Sequence, residues 1–138
     1  MPIRASYVDE GRGVDAVFSG EITPEEMLIQ QRKYDSRDES TYPCVYFLFD
    51  LSEASFSNYP SEDNLRHIAK ANINPQLPHA FAMAIVAKES LAYGLARMWQ
   101  ILGSEPDREI EIFGRRKQAV GWLKRCVRSR FGFEITLA

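Results

Sequence analysis

The sequence predicts an α/β domain built on a small mixed sheet, and three observations indicate this class. Residues 44–49 and 81–87 are apolar at every position, which is typical of strands that are buried on both faces. Segments with apolar residues at helical spacing follow the predicted strands, as expected where covering helices join parallel neighbours. A glycine-containing turn near residue 11 separates two extended runs and predicts a hairpin. We therefore expect four or five largely parallel strands and about four helices.

Length and composition predict a single domain over residues 1–138. The chain is 45% hydrophobic with a net charge of −2, which excludes a disordered protein and argues against a dedicated nucleic-acid binder. Two cysteines without CxxC partners exclude a disulfide scaffold and a zinc site at motif spacing. We expect both cysteines to be small buried hydrophobic side chains.

The first half of the chain is predicted to contain a hairpin, two helices and one buried strand. Extended runs at residues 7–8 and 14–18 form the hairpin, and Thr23 with Glu26 forms a capping box for a helix that begins at Pro24 and ends near Tyr34. The strand over residues 44–49 is expected to end at residues 50–52. A loop follows, and then a second helix with apolar positions at residues 65, 68, 69 and 73.

The second half is predicted to contain two strands and two helices. A strand over residues 81–87 precedes a helix that Gly103 ends, and a short strand over residues 110–113 precedes the last helix. Trp122 and Leu123 share the apolar side of that last helix and are expected to be buried. Residues 131–137 alternate and form either a terminal strand or a tail. The strands over 44–49 and 81–87 should be adjacent and central, because only they are apolar on both faces.

Several short motifs resemble those of the SpoIIAA-like, or STAS-like, proteins. They are Gly20–Glu26, the strand into Asp50-Leu51-Ser52, the Ala-x-Ile-Val-Ala pattern of residues 82–87, and Gln118–Leu123 with its Ala-x-x-Trp-Leu pattern. The resemblance covers residues 14–127. It implies a small mixed sheet with helices on its faces, usually no known catalysis, and a role in protein–protein regulation. Some relatives carry names that refer to lipid-binding Sec14 domains. The Asp-Ser-x-Gly phosphorylation motif of the anti-sigma-factor antagonists does not occur in residues 50–63, so the phosphoserine switch is not carried over.

Six residues are candidates for binding. Asp50 and Ser52 follow a buried strand, where open α/β sheets place ligands, although Asp50 is also expected to accept hydrogen bonds from the following amides. Phe56 and Tyr59 are apolar loop residues that form an exposed recognition patch or fold back onto the core. Arg115 and Arg116 begin a stretch of seven basic residues without an acid, at a helix start where the dipole disfavours cations.

These observations predict a non-enzymatic regulatory or interaction domain that binds a partner protein or forms a homodimer. Self-association is expected through an exposed helix or loop surface that includes Phe56, Tyr59 or Gly94. The alternative is a carrier that binds a small apolar or lipid ligand between a helix and the sheet. We expect no cofactor and no metal, because the sequence contains no catalytic, metal or nucleotide motif. With neither a signal peptide nor a run long enough to span a membrane, the expected location is cytoplasmic.

Overall fold

Five strands form one mixed sheet in the computed structural model, which describes residues 3–23, 26, 44–56, 80–103 and 106–137. The strands lie in the order β1-β2-β3-β4-β5, with β1 antiparallel to β2 and the other neighbours parallel. The elements are β1 (Ile3–Val8), a 3₁₀ turn (Asp9–Gly11), β2 (Gly13–Glu21), β3 (Tyr46–Ser55), β4 (Phe81–Val86), α1 (Ser90–Gly103), β5 (Arg108–Phe113) and α2 (Arg116–Phe131). The predicted α/β class with a mixed, largely parallel sheet is confirmed.

The two strands that are apolar on both faces lie side by side in the interior of the sheet, as predicted. Their register runs from Tyr46 opposite Ala82 to Asp50 opposite Val86. The predicted end of β3 at residues 50–52 is wrong, because β3 continues alongside β2 as far as Ser55, which lies opposite Glu21. One extra residue lies in β3 between Asp50 and Glu53, which forms a bulge and changes the side-chain alternation beyond it.

Each face of the sheet carries its own apolar core. On the first face, Phe47 and Leu51 of β3 pack in one cluster with Leu95 of α1. On the second face, Leu48 packs in a cluster with Leu123 of α2. The α2 residues that are fully or almost fully buried are Ala119, Val120, Leu123 and Val127.

The prediction for Trp122 is only half right. Leu123 is fully buried, but Trp122 is half-buried and its ring lies 5.7 Å from the ring of Phe113. Phe113 belongs to β5, which is an edge strand, so the indole packs at the rim of the second core.

The segment after α2 is a docked tail and not a sixth strand. Gly132 ends the helix in a left-handed conformation (φ 76°), and its N–H donates to the carbonyls of Val127 and Arg128. Ile135 and Leu137 are then buried in the second core. Thr136 donates to the Asp9 carboxylate from its N–H (3.2 Å) and from its hydroxyl (2.8 Å).

Asp9 also accepts a hydrogen bond from the Tyr46 hydroxyl, so it joins the hairpin turn to β3 as well as to the tail. Burial alone raises the pKa of Asp9, but the hydrogen bonds from Tyr46 and Thr136 outweigh it and leave the pKa below its ordinary value. The carboxylate is therefore charged at neutral pH.

Of the helix predicted over residues 24–34 and the helix predicted from the apolar positions 65, 68, 69 and 73, only Glu26 lies within the described residues. The capping box at the first helix is present, because the Glu26 N–H donates to Thr23 Oγ1 (3.2 Å) and the Thr23 N–H donates to Glu26 Oε2 (3.3 Å). The second of these helices lies outside the described residues.

Candidate functional site

Asp50 is the buried charged residue among those that the structure describes, with 8% of its surface exposed. It lies where β4 ends and β3 continues, opposite Val86. Its Oδ1 accepts the N–H of Ser52 (3.0 Å) and the hydroxyl of Ser52 (2.6 Å). The expected hydrogen bonding of Asp50 to the residues that follow is therefore present, at the bulge of β3 and not in a loop.

Arg116, the first residue of α2, connects this carboxylate to β2. Its guanidinium donates two hydrogen bonds to Asp15, at 2.8 and 3.3 Å, and Nη1 lies 3.5 Å from Asp50 Oδ2. Hydrogen bonding to Asp15 raises the pKa of Arg116, so the guanidinium remains charged. Two carboxylates thus compensate a cation that the helix dipole alone disfavours.

The Asp15–Asp50–Ser52–Arg116 cluster joins β2, β3 and the start of α2. Of the six candidate residues, it brings together Asp50, Ser52 and Arg116. Asp15 was not among the predicted residues, and it lies 101 positions from Arg116 in the chain. The position of Asp15 between the apolar residues Val14 and Ala16 could have indicated that its side chain lies on the opposite face of the sheet from theirs.

The remaining candidates do not join this cluster. Phe56 is fully buried in the first core, so the exposed-patch interpretation is wrong for this residue and the fold-back alternative is correct. The bulge in β3 is the reason, because it turns the side chains of Ala54 and Phe56 toward the first core. Arg115 is exposed and extended just before α2. Tyr59 lies outside the described residues.

Three large apolar side chains among the described residues are exposed on other parts of the surface: Tyr7 (48%), Tyr93 (50%) and Ile101 (65%). Tyr93 and Ile101 lie two turns apart on the outer side of α1, with the exposed Arg97 between them. The Arg97 guanidinium donates to the Gln100 side chain, and Gln100 Nε2 donates to the carbonyl of Ile110 in β5 (2.8 Å). Tyr93, Arg97 and Ile101 are four positions apart in the sequence, so they lie on one side of α1. Leu95 is buried on the other side.

A groove of about 280 Å³ lies between α2 and β5. It is lined by Glu109, Trp122, Arg125, Cys126, Ser129 and Arg130. The Cys126 thiol donates to Glu109 Oε2 (3.3 Å), and Arg130 forms an ion pair with the same carboxylate (3.1 Å). Burial and the contact with Glu109 raise the pKa of Cys126 to about 11, so the sulfur keeps its proton at neutral pH.

Within the described ranges, no three His, Cys, Asp or Glu side chains are grouped so that they could hold a metal ion. The described helices are also too short or too polar to cross a membrane.

No protein-family model and no curated protein matches this sequence. The fold is similar to the crystal structure of an uncharacterized protein of the DUF3478 family from Shewanella loihica PV-4, which has a SpoIIAA-like fold. The two structures superpose with a TM-score of 0.52 and 20% sequence identity, over 88% of this chain and 91% of that chain. At this identity the similarity concerns the fold alone. The chain therefore has a SpoIIAA-like α/β fold, as the motifs in its sequence implied.

Proposed function

We propose that this chain is a non-enzymatic interaction domain that self-associates as a homodimer. The observation that carries the proposal is the exposure of Tyr7 on the edge strand β1, outside both apolar cores. Single exposed apolar residues are common, but an edge strand also offers backbone groups to a second chain. Closed two-fold dimers are the commonest assembly of small proteins, which supports the same conclusion.

The geometry of the buried cluster supports binding rather than catalysis. A serine nucleophile needs a general base and donors for an oxyanion. The Asp50 carboxylate already accepts from Ser52 and lies against the Arg116 guanidinium, an arrangement that fixes α2 on the sheet. Cys126 keeps its proton at neutral pH, which makes it a poor nucleophile.

The alternative of a carrier for an apolar or lipid ligand requires an apolar cavity between a helix and the sheet. The groove beside α2 gives this alternative less support, because Glu109, Arg125 and Arg130 are among its lining residues. A different protein as the partner remains the second candidate. The outer side of α1 favours it, because Tyr93 and Ile101 flank Arg97 and would suit an apolar surface that carries a carboxylate.

Sedimentation velocity over a wide concentration range tests self-association. We expect a monomer–dimer equilibrium that does not change when a reductant is added, because Cys44 is buried and Cys126 is half-buried. A single monomeric species at every concentration would contradict the homodimer. A dimer that reductant dissociates would show that the contact is a disulfide and would also contradict it.

A further inference from the structure

We infer that the outer edge of β1 pairs in antiparallel orientation with β1 of a second copy, so that two sheets become one. This inference rests on the proposed self-association and names the surface that carries it. It follows from a difference between the two edge strands, β1 and β5, in how far each is protected against pairing with another strand.

The β5 edge is protected. The carbonyl of Ile110 accepts a hydrogen bond from the Gln100 side chain of α1, which occupies a backbone group in the middle of that strand. Half of the β5 residues are charged, namely Arg108, Glu109 and Glu111. Charged side chains and covering elements are the usual means by which proteins prevent further strand pairing.

The β1 edge carries little of this protection from the residues that the structure describes. Its four central residues, Arg4 to Tyr7, are all exposed, and Arg4 is the strand's one charged residue. β1 contains no proline, so every residue has an N–H group. Six paired positions, from Ile3 opposite Phe18 to Val8 opposite Gly13, hold β1 in place against β2. The edge is therefore an ordered template for another strand.

The sequence of β1 is complementary to itself. In a two-fold antiparallel pair, residues directly opposite each other lie on the same face of the sheet. With the axis at Ala5, each Ala5 faces the other, Arg4 faces Ser6 of the second copy, and Ile3 faces Tyr7 of the second copy. No two like charges meet in this register. The second copy's Tyr7 ring then lies beside Ile3, a member of the first core, and extends that apolar cluster.

The outer side of α1 lacks this self-complementarity. Tyr93, Arg97 and Ile101 are evenly spaced, so a two-fold contact that places Tyr93 against Ile101 of a second copy also brings two Arg97 side chains together. Like charges that meet across a contact work against it. The α1 surface therefore provides the matched control for the test of the β1 edge.

Two variants that place opposite charges at Ala5 test the inference. Ala5 is exposed in the single chain, so at a protein concentration low enough to keep every chain monomeric, Ala5→Lys and Ala5→Glu should leave the far-ultraviolet circular dichroism and the urea midpoint close to those of the wild type. Each variant alone should dimerise at least tenfold more weakly, because like charges face each other at the axis. An equimolar mixture of the two should recover the dimer. The control, Ile101→Lys, adds the same charge at an exposed apolar residue and should dimerise like the wild type.

The outcomes separate this inference from the proposal on which it rests. A wild-type chain that stays monomeric contradicts self-association itself. A wild-type dimer that survives in both Ala5 variants, or that is lost in Ile101→Lys alone, overturns the β1 edge and leaves self-association standing. Failure of the mixed variants to recover the dimer also overturns the edge pairing, since a merely misfolded variant would not be rescued by its opposite charge.

Discussion

Replacing Gly13 by alanine should destabilise the fold because the ring of Tyr46 occupies the space where a side chain would project. A Cβ atom at position 13 would lie 2.1 Å from Cζ and 2.3 Å from Cε1 of that ring. Carbon atoms in ordinary contact are separated by about 3.5–4.0 Å, so the ring or the strand must move by more than about 1 Å. Gly13 is directly opposite Tyr46 in the ladder between β2 and β3, and both residues are buried.

The expected loss of stability combines the cost of overpacking with the cost of disturbing a hydrogen bond of Tyr46. Forcing an extra carbon into a packed core costs about 1–3 kcal/mol. Moving the Tyr46 ring also disturbs its hydrogen bond to the charged Asp9, and hydrogen bonds to charged groups contribute about 1.5–3 kcal/mol. Restricting the unfolded chain returns about 0.4–1 kcal/mol. We expect Gly13→Ala to lower the free energy of unfolding by about 2–5 kcal/mol.

Urea denaturation followed by circular dichroism measures this change. Gly94→Ala is the matched control, because a Cβ there meets nothing within 4 Å. Gly94 is inside α1, where alanine is favoured over glycine by about 0.5–1 kcal/mol, so the control should be slightly stabilised. A Gly13→Ala chain as stable as the wild type would refute the placement of the Tyr46 ring across β2.

Three further predictions concern charged and ionisable groups. Arg116→Met should lower the free energy of unfolding by about 1–2 kcal/mol in the same urea assay. This is less than the loss expected for a fully buried ion pair, because Arg116 is one-third exposed. The control Arg115→Met should have little effect. Because the pKa of Asp9 is lowered on folding, its stabilising contribution is present above about pH 4 and is lost as the pH falls. Asp9→Asn should therefore be less stable at pH 7 and should show a shallower loss of stability between about pH 5 and pH 3, and a slope equal to that of the wild type would contradict this. In a variant that retains only Cys126, alkylation by iodoacetamide at pH 8 should be much slower in the folded than in the unfolded chain, and equal rates would contradict the raised thiol pKa.

The centre of the fold could be predicted because its signals are local and repeated. Residues 44–49 and 81–87 are apolar without alternation, which requires cover on both faces and therefore an interior position. The capping box of Thr23 and Glu26 uses side chains three positions apart and was equally visible. The end of β3 could not be read in the same way, since its length depends on β2, a partner more than twenty residues earlier in the chain.

The candidate site was only partly predictable for the same reason. Asp50 and Ser52 are neighbours in sequence and contact each other, whereas the contact between Asp15 and Arg116 depends on the way α2 crosses the sheet. The burial of Phe56 depends on the bulge in β3, and no local pattern in the sequence marks the position of the extra residue. Long-range packing, rather than residue type, decided each of these positions.

Hydrogen–deuterium exchange at low and high protein concentration most directly tests the claim that two copies join through β1. In the wild-type chain, we expect amide exchange in residues 3–8 to slow as the concentration rises, because the outward N–H groups of β1 become hydrogen-bonded. Exchange in residues 90–103 of α1 should stay the same over that range. Concentration-dependent protection in α1 without any in β1 would contradict the account.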